Sequence, residues 1–215
     1  MTNFQKRFLT AIVVLPISLI FVLIGGYVTL LFLLTVFFIA NYELFTVFKK
    51  KTTVLFLDLI LILSLYSIYL MAERNSDLLL WVIILVVCSD VGGYVFGKLF
   101  KWKKFTNISP NKTVSGVFGS FIFSLMSPIL FYYIMGSDNF LEPKYFFYSI
   151  IFSLIAQAGD LTISYFKRLE KIKDTGKILP GHGGFLDRID GIIFVMPITY
   201  LCVLPILIYK LNLIK

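Results

Sequence analysis

Residues 157–191 read QAGDLTISYFKRLEKIKDTGKILPGHGGFLDRIDG, and apolar runs at about 145–163 and about 191–209 close on them from both sides. The stretch holds four aspartates, six Lys/Arg and the only histidine of the chain. Its surroundings are the opposite. The 215 residues are 59% hydrophobic, with a mean hydropathy of +0.91 and 15% charged residues, against about 25% charged in a soluble globular domain. A soluble fold of this size cannot hide so much apolar surface, so lipid is the solvent that fits. Barrel strands would show short alternating segments, which are missing here. The expected fold is all-α, a polytopic transmembrane helix bundle with a polar active-site cavity at one face.

Working outward, further apolar runs lie at about 8–24, 27–48, 53–71, 78–97 and 114–135. Each is long enough, or nearly so, to cross roughly 30 Å of hydrocarbon at about 1.5 Å per residue. The count is about seven spans, with Pro128, Pro197 and Pro205 able to kink or interrupt helices. The first run follows Lys6 and Arg7 as a signal peptide would, but no small-residue cleavage site precedes a polar mature domain, so it reads as a retained helix. Cys88 and Cys202 both fall in apolar runs, which argues against a disulfide framework.

The net charge of +8 could suggest a nucleic-acid partner, but the placement of the charges argues for membrane orientation instead. With the N terminus in the cytoplasm, every Lys and Arg except Arg74, Lys144, Lys210 and Lys215 falls on the inside. One assignment then satisfies the positive-inside rule at every loop. It also places the polar loops 98–113 and 164–190 on the cytoplasmic face. Residues 1–84 read as N-terminal transmembrane helices, about three and the start of a fourth, and 85–215 as a catalytic transmembrane region.

Acidic residues inside apolar runs are costly unless paired or wet. Glu43 and Asp58, near the inner ends of their spans, read as interface carboxylates paired with a nearby lysine. Asp90 and Asp160 have surroundings that favour function. Asp187 and Asp190 are three residues apart, a helical spacing that turns both carboxylates to one side, where they can share a divalent cation. Asp160 can supply a third carboxylate from the facing wall. Oxygen-only donors favour a hard cation such as magnesium, and the single histidine supports no zinc site.

Lys167, Arg168, Lys171, Lys173, Lys177 and Arg188 surround these acids. Carboxylates with cations suit a metal-bound polyphosphate, whose transfer chemistry asks mainly for positioning and charge stabilisation. Gly181, Gly183 and Gly184 bracket His182, a pattern suited to a tight turn or to backbone approaching a phosphate; His182 can orient a phosphate or serve the loop. A second polar cluster, ISPNKTVSG at 108–116, offers Ser109, Asn111, Lys112, Thr113 and Ser115 at a helix start, itself a favourable anion site. The glycines of DVGGYVFGK at 90–98 suit close helix packing.

Residues 164–190, SYFKRLEKIKDTGKILPGHGGFLDRID, resemble the signature of the phosphatidate cytidylyltransferase (CDP-diacylglycerol synthase) family. Ser164, Lys167-Arg168, Lys173-Asp174, Pro180, His182-Gly183-Gly184, Asp187-Arg188 and Asp190 match it with fixed gaps. Upstream, Asp90, Gly93 and Tyr94, the Ser109 to Gly116 element and Gly159-Asp160 also match, so the resemblance covers about 85–200. Bacterial members are typically longer, and the difference falls in the N-terminal spans. The resemblance implies a multi-pass inner-membrane homodimer that transfers CMP from CTP to phosphatidic acid, using magnesium and leaving room for a second, monovalent cation. It implies metal ligands at Asp160, Asp187 and Asp190, and catalytic roles for Lys167, Arg168, Lys173, Asp174, His182 and Arg188. It implies substrate contacts from Ser109, Lys112, Thr113, Ser115, Gly183 and Gly184. A CDP-alcohol phosphotransferase would also need carboxylates at the membrane face, but its Asp-Gly-x-x-Ala-Arg pattern is missing; a transporter would carry its charges at mid-membrane.

Overall fold

The computed structural model describes residues 16–176, 178 and 183–202. After a helical segment at 16–24, the chain forms α1 (Gly26–Val47), α2 (Lys51–Arg74), α3 (Ser76–Phe100), α4 (Val114–Ser124), α5 (Ser127–Met135), α6 (Pro143–Leu169) and α7 (Leu186–Cys202). Among the described residues, five helical stretches are long and apolar enough to cross a membrane: α1, α2, α3, the combined Val114–Met135, and α6. The protein is therefore an all-α, multi-pass membrane bundle. Of the seven expected spans, the first and the last run partly outside the described residues.

Local sequence sets the ends of these helices. Asn75 alone separates α2 from α3 and caps the latter, its side chain accepting from the Leu78 amide at 3.0 Å; this satisfies one of the orphan donors of a helix start. The span at 114–135 breaks at Leu125-Met126, and Pro128 sits in the first turn of α5, where its missing N–H costs nothing. Gly136 closes α5 at φ 70°, a left-handed geometry that suits glycine. Pro197 lies within α7, which continues through it to Cys202.

The end of α1 meets the start of α7 through Glu43 and Leu186, and Lys49 in the short α1–α2 link meets Glu170 at the end of α6. The end of α3 meets the start of α4 at Gly97 and Thr113, so these helix ends gather at one end of the bundle. Helices α3 and α4 pack tightest there. A side chain at Gly92 would strike the Gly119 carbonyl oxygen, one at Gly119 would strike the Gly92 carbonyl oxygen and the Phe96 side chain, and one at Gly116 would come to 2.9 Å from the Gly93 carbonyl oxygen. Where lipid removes the hydrophobic drive between helices, such close backbone approach supplies the association through dispersion. Serines add polar links: Ser120 donates to the Ser89 carbonyl at 2.8 Å, and the Ser89 and Ser153 hydroxyls meet at 2.8 Å, joining α3, α4 and α6. At the opposite end, Trp81, Phe140, Tyr145 and Phe152 form an aromatic cluster with centroids 4.5–6.0 Å apart, tying α3 to α6.

Candidate active site

The polar end carries two contiguous charged clusters. The first forms where α6 and α7 nearly touch: a side chain at Gly159 would come to 2.9 Å from the Asp190 carbonyl oxygen and would strike the Phe194 ring. That approach brings the Asp160 and Asp190 carboxyl groups into hydrogen-bonding contact, with Asp90 of α3 close enough to feel both. Lys112 Nζ lies 2.6 Å from Asp160 Oδ2 and donates to the Gln157 carbonyl at 3.4 Å, while Ser164 donates to Asp160 Oδ1 at 3.3 Å.

In the second cluster Lys167 and Asp187 form an ion pair at 2.7 Å, with side chains only 9% and 7% exposed. The other Asp187 oxygen accepts from the amides of Thr175 at 2.9 Å and Gly184 at 3.2 Å. Lys167 also acts on Asp160 electrostatically, so the clusters form one charged patch. The three aspartates expected to share a metal are thus divided: Asp160 and Asp190 stand together with Asp90, while Asp187 turns to Lys167 and to the loop amides. Among the described residues no three acidic, cysteine or histidine side chains converge as a ready-made metal site.

The remaining expected residues take several positions. Arg168 is exposed and donates to the carbonyls of Ile108 at 3.2 Å and Ile172 at 2.7 Å, bracing the loop at 101–113 against the segment after α6. Lys173 and Asp174 are exposed, Asp174 beside Gly183, which has φ 85°. Thr113 caps α4, accepting from the Gly116 amide at 3.1 Å, and its hydroxyl meets that of buried Ser115 at 3.0 Å. Ser109 accepts at its carbonyl from the Lys112 amide at 3.0 Å, the turn that presents Lys112. His182 lies outside the described residues. Arg188 is exposed and lines an apolar cavity of about 340 Å³. That cavity is walled by Val22, Leu33, Ile68, Leu79, Val86 and Met196 among others, and Asp90 also opens into it.

Two carboxylates depart from the expectation of a lysine partner. Asp58 has no lysine ion pair among the described residues, and its Oδ1 is buried without a hydrogen-bond partner. Glu43 is 1% exposed and accepts from the Thr175 hydroxyl at 3.0 Å and from the Phe185 and Leu186 amides, each at 2.9 Å. Hydrogen bonds to a charged group are worth about 1.5–3 kcal/mol each, so backbone donors replace the lysine. The sequence marks Glu43 as an acid in an apolar span; the partners that surround it come from a loop more than 130 residues away.

Fold and site together are those of a multi-pass helix bundle with paired acids and bases at one end, beside an apolar cavity that Asp90 and Arg188 help to line. The chain belongs to the cytidylyltransferase family, whose model matches residues 53–205. It is 42% identical over 128 residues to a phosphatidate cytidylyltransferase of Staphylococcus saprophyticus, covering 59% of this chain and 49% of that protein. It is 43% identical over 120 residues to one of Staphylococcus haemolyticus, covering 55% and 46%, and 42% identical over 120 residues to one of Staphylococcus aureus, again 55% and 46%. The matched stretch spans about half the length of these curated relatives.

Proposed function

We propose that the protein is a phosphatidate cytidylyltransferase, transferring CMP from CTP to phosphatidic acid to give CDP-diacylglycerol and pyrophosphate. The observation that carries this reading is the apolar cavity ending on Asp90 and Arg188, beside the Lys112–Asp160–Asp190 and Lys167–Asp187 groups. Acyl chains suit the cavity and phosphates suit its charged end. In the reaction an oxygen of the lipid phosphate forms a bond to the α phosphorus of CTP, and the bond from that phosphorus to the oxygen bridging to the β phosphorus breaks. Pyrophosphate leaves with the bonding pair. No side-chain nucleophile is needed, because the lipid phosphate is already an anion.

The chain's own residues have three tasks. Lys112, Lys167 and Arg188 offset negative charge on the phosphates, with Arg168 and Lys173 contributing from the rim. The Ser109 to Gly116 turn and Gly183-Gly184 bring backbone close to the phosphates, Asp174 packs beside Gly183, and His182 is assigned to the same motif by its sequence alone. Asp160 and Asp190 are the hard-oxygen pair suited to magnesium, with Asp90 beside them and Asp187 on the next part of the wall. Two carboxyl groups this close repel when both are ionised, and a dication held between them would relieve that repulsion where Lys112 reaches only Asp160. When bound, magnesium would draw charge from the phosphoryl oxygens.

The same reading takes seven spans in the inner membrane, the N terminus and both basic loops cytoplasmic, and a homodimer. The Lys/Arg bias supports the orientation, and it lets CTP arrive from the cytosol while the acyl chains stay in the leaflet. The test is an assay of detergent-purified protein with phosphatidic acid and each of four nucleoside triphosphates, with magnesium or EDTA and with or without a monovalent salt. Magnesium-dependent CDP-diacylglycerol formation from CTP alone, abolished in Asp160→Asn and Asp190→Asn, is expected. Folded wild type that makes no product with any nucleotide refutes the reaction; active variants refute the metal assignment alone.

A further inference from the structure

Glu43 lies on α1, outside the stretch matched by the family model, yet it is bonded to the loop that carries the charged motif. Its Oε1 accepts from the Phe185 amide, and its Oε2 accepts from the Leu186 amide and the Thr175 hydroxyl. Leu186 begins α7, so the carboxylate satisfies donors that the helix start leaves without intrahelical partners. The loop is shaped to receive it. A side chain at Gly176 would strike the Glu43 carboxylate, and one at Gly184 would reach 2.9 Å from Glu43 Oε2. These glycines make room for a carboxylate as well as for a turn.

Thr175 is the link to the charged patch. Its hydroxyl donates to Glu43 and its amide donates to Asp187, the partner of Lys167. Gly184 repeats the arrangement, packed on Glu43 and donating its amide to Asp187. On the far side of the same loop, Glu170 accepts from the Lys49 amide at 3.1 Å, so the tip of the α1–α2 hairpin holds the segment from the other direction. We infer that Glu43 is a positioning residue: by clamping Thr175, Gly184 and the start of α7 it sets the Lys167–Asp187 pair for cytidylyl transfer. The kinetic consequence rests on the transfer activity proposed above; the structural consequence does not.

The test uses Glu43→Gln, which keeps the size but turns an amide donor toward donors, and Glu43→Ala. Steady-state kinetics with CTP and phosphatidic acid would be read beside hydrogen exchange of the full chain in detergent. The expected result is kcat lower by about tenfold in Glu43→Gln and by about a hundredfold in Glu43→Ala. The KM for phosphatidic acid should rise by a smaller factor than kcat falls, because Glu43 itself does not line the cavity and reaches it only through the Phe185 amide. Exchange should accelerate in peptides covering 174–186 and not in α3 or α6. A residue that merely holds the bundle together would lower the folded fraction while leaving kcat per folded enzyme unchanged, and that outcome overturns the inference. So does unchanged protection of 174–186 in Glu43→Gln, which carries the test by itself if Glu43→Ala fails to fold. Wild type without cytidylyl transfer would refute the proposed reaction, and the exchange result would still decide whether the clamp exists.

Discussion

Replacing Lys167 with Met, Asp187 with Leu, and both together tests whether the buried ion pair holds the loop before α7. At 2.7 Å and an effective dielectric near 20, the attraction is about 6 kcal/mol, before the desolvation of both groups offsets part of it. Lys167→Met leaves Asp187 buried with only the Thr175 and Gly184 amides. Asp187→Leu strands the ammonium and those two donors. Either single change should cost about 3–5 kcal/mol, since an uncompensated buried charge remains. The double variant buries no orphan charge, and its residual cost is the unmet amides, about 1–3 kcal/mol each. It should therefore be less destabilised than the sum of the singles by about 3 kcal/mol or more. Thermal unfolding in detergent reads this: a chain of this length shifts by roughly 2–4 °C per kcal/mol, so each single variant should lose on the order of 10 °C. Additive losses would refute the reasoning, because they would mean that the two side chains do not interact in the folded protein.

Gly119→Ala forces a methyl group against the Gly92 carbonyl oxygen and the Phe96 side chain; backbone cannot yield as a flexible side chain can, so a loss of about 1–3 kcal/mol or more is expected in the same unfolding assay. Lys112→Met removes the ammonium 2.6 Å from Asp160, so the magnesium concentration for half-maximal activity should fall severalfold while kcat drops, as expected where a lysine and a dication compete for one carboxylate pair. Ile83→Trp fills part of the 340 Å³ cavity; the KM for phosphatidic acid should rise by roughly tenfold with that for CTP unchanged, since the lost space is apolar.

Helix placement was legible because apolar length is a strong signal in lipid: the expected run at 114–135 coincides with Val114–Met135, and those at 27–48, 53–71, 78–97 and 145–163 sit within a few residues of α1, α2, α3 and α6. The break at Leu125-Met126 was foreshadowed only by Pro128. The DVGGYVFGK glycines proved to be packing surfaces, at Gly92 and Gly93 against α4, as small residues in apolar spans suggest. Site residues were legible as a set and not as pairs. Three-residue spacing put Asp187 and Asp190 on one side of a helix, but it could not say that Lys167 would claim the first and Asp160 the second. Glu43 was visible as a costly acid, and a lysine was the nearest guess by sequence.

By itself the sequence determined that the chain lives in a membrane, where its helices lie and which residues carry charge, because each of these depends on composition within one segment. Only the tertiary structure decided which charges meet: Gly159 lets α6 approach α7 closely enough to bring Asp160 to Asp190, and the α1–α2 hairpin carries Glu43 to Thr175 and Leu186. Partner choice depends on helix approach and loop path, and those are properties of packed surfaces that no single segment contains.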